Sequence, residues 1–264
     1  MERKTKNCHS KCPICGGTGL ITRKVNGIEF GKNCECINRA IFENKLKFAN
    51  IPEDYKNIKV SDFKTTIYQK EESRKLAKDA REIVKNYILN FDKMDRLGKG
   101  LYFYSDKKGS GKTMLALALA NALMSRNGIV AKYATVSDIL KEIKNTYDKD
   151  GNRYRDKFEP SKPKESELID DLRKVKVLIL DDIGVEKLTG WSNEIIYQII
   201  NERLINKLVT IFTSNTHISQ LKHDERIISR IKKMSIPIQM PEESIRDQLG
   251  EKENMELVKE LLGV

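Results

Sequence analysis

Residues 100–113 read Gly-Leu-Tyr-Phe-Tyr-Ser-Asp-Lys-Lys-Gly-Ser-Gly-Lys-Thr. An apolar strand runs into a glycine-rich turn, and Lys112-Thr113 opens a helical pattern that continues from Met114 to Arg126. A nucleotide phosphate needs this arrangement. Small residues let backbone N–H groups close around the anion, and the helix N-terminus points partial positive charge at it. Gly109, Ser110 and Gly111 make the turn. Lys112 has the reach for the β- and γ-phosphates of ATP, and the Thr113 hydroxyl suits Mg²⁺. Asp106 stands where the usual pattern has its first glycine, which brings a carboxylate close to the phosphates. A glycine-rich turn is common by itself; the strand before it and the helix after it make this one a P-loop.

The chain has 264 residues, enough for one sizeable α/β domain and a small appendage. It contains no run of about 18 apolar residues, so no membrane-spanning helix is expected. Residues 1–20 are polar and basic without an apolar stretch, which argues against a secretory signal and places the protein most simply in the cytoplasm. The formal net charge is +11, and residues 1–60 carry twelve Lys and Arg against six Asp and Glu. Such an excess points to a polyanionic partner. A lysine-rich, well-solvated surface accounts for it equally simply, so charge alone does not decide.

All five cysteines lie early: Cys8, Cys12, Cys15, Cys34 and Cys36. Cys12-Pro-Ile-Cys15-Gly-Gly-Thr-Gly has the form of a metal knuckle, in which glycines let N–H groups turn toward sulfur. A hairpin is expected over Leu20 to Phe30, turning at Asn26-Gly27, before Cys34-Glu-Cys36 closes the set. Four thiolates from two short pairs suit tetrahedral Zn²⁺. Disulfides are not expected in a reducing compartment, and redox chemistry would want a thioredoxin-like context that is missing here. Cys8 and His9 are spare ligands, with Cys8 able to replace Cys36. A Zn(Cys)₄ centre carries net charge −2, so nearby Lys and Arg partly offset it.

These patterns divide the chain into a zinc module at 1–47, ending in a short helix from Ile37 to Phe48, a linker and helix at 48–98, and a third region from 99 to 264. Residues 68–90 repeat apolar positions at helical spacing. Strands are expected at 100–104, 129–135, 175–180, 208–214 and 235–240. Helices are expected at 112–126, 137–146, as a short helix between the charged stretch and strand 175–180, at 192–206, near 224–232 and at 252–262. The charged stretch from Tyr147 to Lys164 reads as an exposed loop. Alternating strands and helices imply a parallel sheet covered on both faces.

Val177-Leu-Ile-Leu-Asp181-Asp182 is a buried strand ending in two carboxylates. Ligands of open parallel sheets sit beyond the strand C-termini, so this end shares a crevice with the P-loop. Asp181 is then placed to hold Mg²⁺, and Asp182 to polarise the attacking water. Leu208-Val-Thr-Ile-Phe-Thr-Ser-Asn215 is a second buried strand, whose terminal amide suits contact with both the γ-phosphate and the water.

Taken together, Gly-Ser-Gly-Lys-Thr, Leu-Asp-Asp-Ile-Gly-Val-Glu-Lys, Phe-Thr-Ser-Asn and Glu-Arg-Ile-Ile-Ser-Arg-Ile resemble the AAA+ ATPases of the bacterial helicase-loader group, DnaC/DnaI type. Transposition-helper ATPases of the IstB type are similar. The Cys-Pro-x-Cys knuckle, the Cys-x-Cys pair and Ile-Pro-x-x-Tyr-Lys resemble phage- and plasmid-encoded loaders. The resemblance covers roughly residues 12–250. It implies an AAA+ fold with a parallel five-stranded sheet, and a DnaB-type replicative helicase, single-stranded DNA and further copies of the chain as partners. It assigns Lys112 and Thr113 to Walker A, Asp181 and Asp182 to Walker B, and Asn215 to sensor 1. Arg230 corresponds to the arginine finger offered to a neighbouring subunit, and Arg246 to sensor 2.

Asp182 replaces the commoner Walker-B glutamate, which suggests slow hydrolysis. Arg226 and Arg230 also lie four apart on one helix face, so a solvated basic stripe is the alternative. Only a short segment follows Arg246, too little for a full helical lid. Within the charged loop and the helix before it, the resemblance suggests that Lys141, Lys144, Arg153, Tyr154, Arg155 and Lys157 face single-stranded DNA. The interleaved Asp148, Asp150, Asp156 and Glu159 fit a solvated loop as well. Two rivals remain open beside the loader reading: a transposition helper, and a nucleotide-gated adaptor with little hydrolysis.

Overall fold

A computed structural model describes residues 12–16, 18–25, 28–34, 36, 48–145 and 165–262. The expected helix from Ile37 to Phe48, nearly all of it, and the charged loop from Tyr147 to Lys164 lie outside the described residues, as do Cys8 and His9. The chain divides into two compact units, Met1–Asn50 and Ile51–Val264. Among the described residues no helix is long and apolar enough to cross a membrane.

In the first unit, β1 (Leu20–Val25) and β2 (Ile28–Asn33) pair antiparallel, with Leu20 opposite Asn33 and Val25 opposite Ile28. The hairpin brings the residues after β2 back beside the knuckle that precedes β1. The Cys34 N–H donates to the Gly19 carbonyl at 2.8 Å.

The second unit is built on a five-stranded sheet in the order β4-β5-β6-β3-β7, and every neighbouring pair in that order is parallel. Its strands are β3 (Gly100–Tyr104), β4 (Ala131–Thr135), β5 (Val177–Asp181), β6 (Val209–Ser214) and β7 (Ser235–Gln239). β5 and β6 are buried throughout, as continuous apolar runs require of strands covered on both faces.

One face carries α1 (Glu71–Leu89), α2 (Phe91–Leu97) and α3 (Lys112–Asn127). Helix α3 is apolar nearly all round, with Leu115 to Ala120 fully buried, so it needs a layer outside it as well as the sheet beneath. Residues 51–65 and α1 supply that layer. The Asn121 amide donates to the Tyr55 and Ile58 carbonyls at 2.7 and 3.1 Å. The other face carries α4 (Val136–Lys144), α5 (Glu165–Lys174), α6 (Gly190–Ile205) and α7 (Glu225–Met234) over a core that includes Ile139, Leu178, Ile199, Phe212 and Ile231.

Several boundaries depart from the sequence reading, two of them for a reason visible in the local chain, and α2 has no counterpart in it. Strand β4 starts at Ala131 rather than 129, because Gly128 closes α3 in the left-handed region and the Ile129 N–H bonds back to Leu123. The last helix, α8 (Ile245–Leu262), starts well before residue 252. The Ser244 hydroxyl accepts the Asp247 N–H at 3.3 Å, and this N-cap outweighs the propensity cost of Gly250 inside the helix.

Candidate nucleotide site and cysteine cluster

The order of the sheet decides what meets at its C-terminal edge. β6 lies between β3 and β5, so the ends of three strands line one crevice. The P-loop leaves β3, Asp181 and Asp182 end β5, and Asn215 follows β6, half-buried.

Two glycines shape the loop. Gly109 has φ +72°, and a Cβ there would stand 2.7 Å from Ser244 Oγ and 2.9 Å from Arg246 Cβ. Gly111 has φ +91°, and its Cβ would press on the Phe63 ring at 2.7 Å. Both the turn and the close approach require glycine. The loop is clasped from two sides. Tyr68 donates its hydroxyl to the Ser110 carbonyl at 2.9 Å, and the Ile245 N–H donates to the Gly109 carbonyl at 3.0 Å. Glu243 joins the two clasps by accepting the Gln69 and Lys70 N–H groups, both at 2.8 Å, at the start of α1.

Lys112 is 6 % exposed. Its ammonium donates to the Lys107 carbonyl at 2.8 Å, the Ser105 carbonyl at 3.2 Å and Ser110 Oγ at 3.3 Å. Burial lowers its pKa, while the carboxylates of Asp182, Glu242 and Asp181 act against that fall. Those bonds hold the cation inside the loop, where phosphate oxygens would replace the carbonyls.

Asp181 is buried and fully engaged. Oδ1 accepts from the Thr113 hydroxyl at 2.9 Å and the Thr213 hydroxyl at 2.5 Å; Oδ2 accepts from the Tyr133 hydroxyl at 2.8 Å. Tyr133 pairs with Ile179 across β4 and β5, and its long side chain reaches two residues further to the carboxylate. Burial and Asp181 raise the Tyr133 phenol, which keeps it a donor. Thr113 and Asp181 offer hard oxygen ligands side by side, the donor set that Mg²⁺ takes.

Asp182 sits in the left-handed region at φ +55°, and its N–H donates to Thr213 Oγ1 at 2.9 Å. Its side chain opens to solvent on one side. The protein behind it and the adjacent Asp181 push its pKa above the ordinary aspartate value, while Lys112 and Arg246 pull it down. Arg246, exposed at the start of α8, is thus close enough to act on both Lys112 and Asp182.

Arg230 is on α7 and bonds to α6: Nε donates to Asn201 Oδ1 at 2.8 Å and Nη2 to the Tyr197 hydroxyl at 2.9 Å. The structure does not bring it to the P-loop of its own chain by any described contact. The sequence reading gave no role to Glu186, which it quoted only within a motif, or to His223. His223 Nε2 and Glu186 Oε1 lie 2.5 Å apart, both buried, and Glu186 Oε2 accepts the Gly184 N–H at 2.8 Å. This pair ties the loop after Asp182 to the start of α7. Burial alone would raise Glu186, but the His223 bond and the backbone donors hold it below its ordinary value of 4.5.

A depressed carboxylate contributes stability that is complete above its unfolded pKa and is lost as pH falls through the native value. Glu186→Gln should therefore lower the melting temperature at neutral pH, by roughly 3 kcal/mol of stability for a broken buried pair. It should also flatten the loss of stability seen on acidification below about pH 4.5. Thermal melts from pH 7 to pH 3 on both proteins read both effects. Equal melts would show that the pair is energetically idle.

In the first unit, the sulfurs of Cys12, Cys15, Cys34 and Cys36 all lie within 4.8 Å of one another. Cys12 and Cys34 are 3.8 Å apart, and Cys15 and Cys36 are 3.4 Å apart. A tetrahedral site with Zn–S near 2.3 Å sets sulfurs about 3.8 Å apart. The Gly19 N–H donates to Cys15 Sγ at 3.2 Å, and the Gly16 N–H to the Cys12 carbonyl at 2.9 Å, as a metal knuckle arranges them. Hydrogen bonds from the backbone at Cys15 and Ile14 lower the Cys12 thiol pKa, favouring the thiolate that binds metal. The four residues fit zinc.

Comparison with known proteins agrees with this architecture. The sequence model of the IstB-like ATP binding protein family matches residues 104–248. The replicative helicase loader DnaC of Escherichia coli K12 is 30 % identical over 133 residues, covering 50 % of this chain and 49 % of DnaC. The replicative helicase loader DnaI of Bacillus subtilis is 30 % identical over 167 residues, covering 56 % of this chain and 48 % of DnaI. The chain thus spans about half the length of these relatives. A crystal structure of the DnaC helicase loader superposes with a TM-score of 0.55 at 25 % identity, over 72 % of this chain and 99 % of that one.

Proposed function

The chain belongs to the IstB-like ATP binding protein family, and from there we propose that it is an ATP-dependent loader that places a replicative DnaB-type helicase on single-stranded DNA in the cytoplasm. The observation that carries the reading is the hydrogen bond between Thr113 and Asp181 beneath a glycine loop, in a chain similar to DnaC and DnaI.

The residues take these parts. N–H groups of residues 109–113 and the Lys112 ammonium hold the ATP phosphates. Thr113 and Asp181 hold Mg²⁺, which when bound neutralises charge on the phosphoryl oxygens. Tyr133 and Thr213 keep the Asp181 carboxylate in place. Asp182 accepts a hydrogen bond from the attacking water, and Asn215 orients that water against the γ-phosphate. Arg246 balances charge from the start of α8, and Arg230 of a neighbouring copy stabilises the transition state. An aspartate at 182 reaches less far than a glutamate, so turnover is slow and rises as copies assemble.

Residues 1–47, with zinc on Cys12, Cys15, Cys34 and Cys36, grip the helicase. Residues 48–98 join them to the ATPase domain at 99–264. The segment holding Arg153 and Arg155 binds the DNA backbone. Arg153→Ala with Arg155→Ala should weaken single-strand binding and lower its salt slope by about 1–2, because each phosphate deprived of its cation takes about 0.7 off the slope. Equal affinity and equal slope would remove the segment from the DNA interface.

The family match also favours a second reading, a transposition helper that coats duplex DNA. Pull-down from a lysate of the host separates them: the loader captures the hexameric helicase, the helper a transposase. A third possibility, a nucleotide-gated adaptor, predicts no turnover with single-stranded DNA present.

A further inference from the structure

Helices α6 and α7 pack through Ile196, Ile199 and Ile200 on one and Ile227 and Ile231 on the other. At the rim of that packing, Tyr197 and Asn201 are four apart on α6, and Arg226 and Arg230 are four apart on α7. Each pair therefore lies along one helix face, and the two faces meet. Both guanidinium carbons lie over the same Tyr197 ring, Arg226 at 4.7 Å and Arg230 at 4.5 Å from its centroid. The ring's negative face attracts both cations.

The two arginines are otherwise treated differently. Arg226 makes a two-point ion pair with Asp224, Nε to Oδ1 at 3.1 Å and Nη2 to Oδ2 at 3.0 Å. Its charge is spent locally, which lets a second cation share the ring. Arg230 forms no ion pair with a carboxylate among the described residues. It is fixed by neutral acceptors instead: Nε to Asn201 Oδ1 at 2.8 Å, Nη1 to the Arg226 carbonyl at 2.9 Å and Nη2 to the Tyr197 hydroxyl at 2.9 Å. A guanidinium has five N–H donors, so these bonds leave one on each terminal nitrogen. Two donors on neighbouring nitrogens are the number that a two-point contact with phosphate oxygens uses.

A long arginine held by three bonds and an aromatic face has already lost its rotamer entropy before any anion arrives. A solvated basic stripe would not show this arrangement; it would pair each arginine with water or with a nearby carboxylate, as Arg226 is paired. We propose that Tyr197 and Asn201 are positioning residues that preset Arg230, half-buried and bonded to no carboxylate among the described residues, for the terminal phosphate of ATP bound to a second copy of the chain. The inference rests on the reading of Arg230 as a residue acting in trans. It adds that the residues presetting Arg230 stand on α6 of the same chain that supplies it.

The test uses two full-length chains, each unable to turn over alone. The acceptor carries Arg230→Ala with an intact P-loop; the donor carries Lys112→Ala with an intact Arg230. Mixing them should restore turnover. Adding Asn201→Ala to the donor should cut the restored rate about tenfold, the weight of one hydrogen bond to a charged group. Tyr197→Phe in the donor should cut it by a similar factor while keeping the ring, and Tyr197→Ala should cut it further. The KM for ATP, set by the acceptor chain, should not move. Thermal melts of each donor report whether α6 and α7 remain folded, and Tyr197→Phe keeps the test open if Tyr197→Ala unfolds. Restored turnover that is indifferent to Asn201→Ala and Tyr197→Phe would overturn the presetting while leaving Arg230 in trans. No restored turnover in the parent mixture would overturn both.

Discussion

Lys112→Ala is expected to abolish ATP hydrolysis and leave the fold intact. The lysine is buried, yet its partners are two loop carbonyls and a serine hydroxyl rather than core side chains. Burial already disfavours its charge in the resting loop, so truncation relieves one cost while removing three bonds. The melting temperature should move little. Turnover should fall by at least about a hundredfold, as for loss of a single preorganised donor at developing charge. Asp181→Asn should behave differently, keeping much of the nucleotide binding and stopping turnover by loosening the place for Mg²⁺. Coupled-enzyme ATPase rates beside thermal melts check both variants. An unchanged rate in a Lys112→Ala protein of normal melting temperature would remove the phosphate site from this loop.

Loss of the metal has the largest expected effect on structure. The hairpin and knuckle described in the first unit are short, so a metal bound to the four thiolates would supply much of the folding energy. Apparent binding energies of structural zinc in small peptides are about 10–16 kcal/mol. Purified protein should hold about one zinc per chain. Cys12→Ser should unfold the unit, read as lost chemical-shift dispersion for residues 12–36, and abolish capture of the helicase. ATP binding should persist, because residues 51–264 form a compact unit of their own. Zinc absent from untagged protein, or retained in full after loss of both Cys34 and Cys36, contradicts the assignment.

What the sequence made legible was local. Gly109 to Thr113 lie within one turn, and Asp181-Asp182 end an unmistakable buried strand, so each could be read without knowing its neighbours. The cysteines were equally plain from their spacing, and the structure brings their sulfurs together. The partners of Asp181 were not legible. Tyr133 and Thr213 reach it only because β4 and β6 flank β5, and strand order is not written in any single segment. The same holds for Glu186 and His223, which are far apart in sequence and meet only when the loop after β5 folds onto the approach to α7. Residues 48–66 read as irregular, yet Phe63 within them and Tyr68 just after them pack on the P-loop. Irregular backbone that folds by packing onto a neighbour leaves no periodic trace. The start of α8 was readable in principle, from Ser244 followed three residues later by Asp247, but Gly250 masked it.

Action on a helicase is what separates the proposed loader from the other readings. Its most direct measurement is gel filtration of the full chain with the hexameric replicative helicase of its own host, with ATP and Mg²⁺ present and single-stranded DNA added in a second run. The two proteins should co-elute in a single large complex, and the helicase should move to the DNA fraction when single strands are added. With the Cys12→Ser variant the complex should not form. Separate elution of wild-type chain and helicase under these conditions, with the ATPase itself active, would contradict the account.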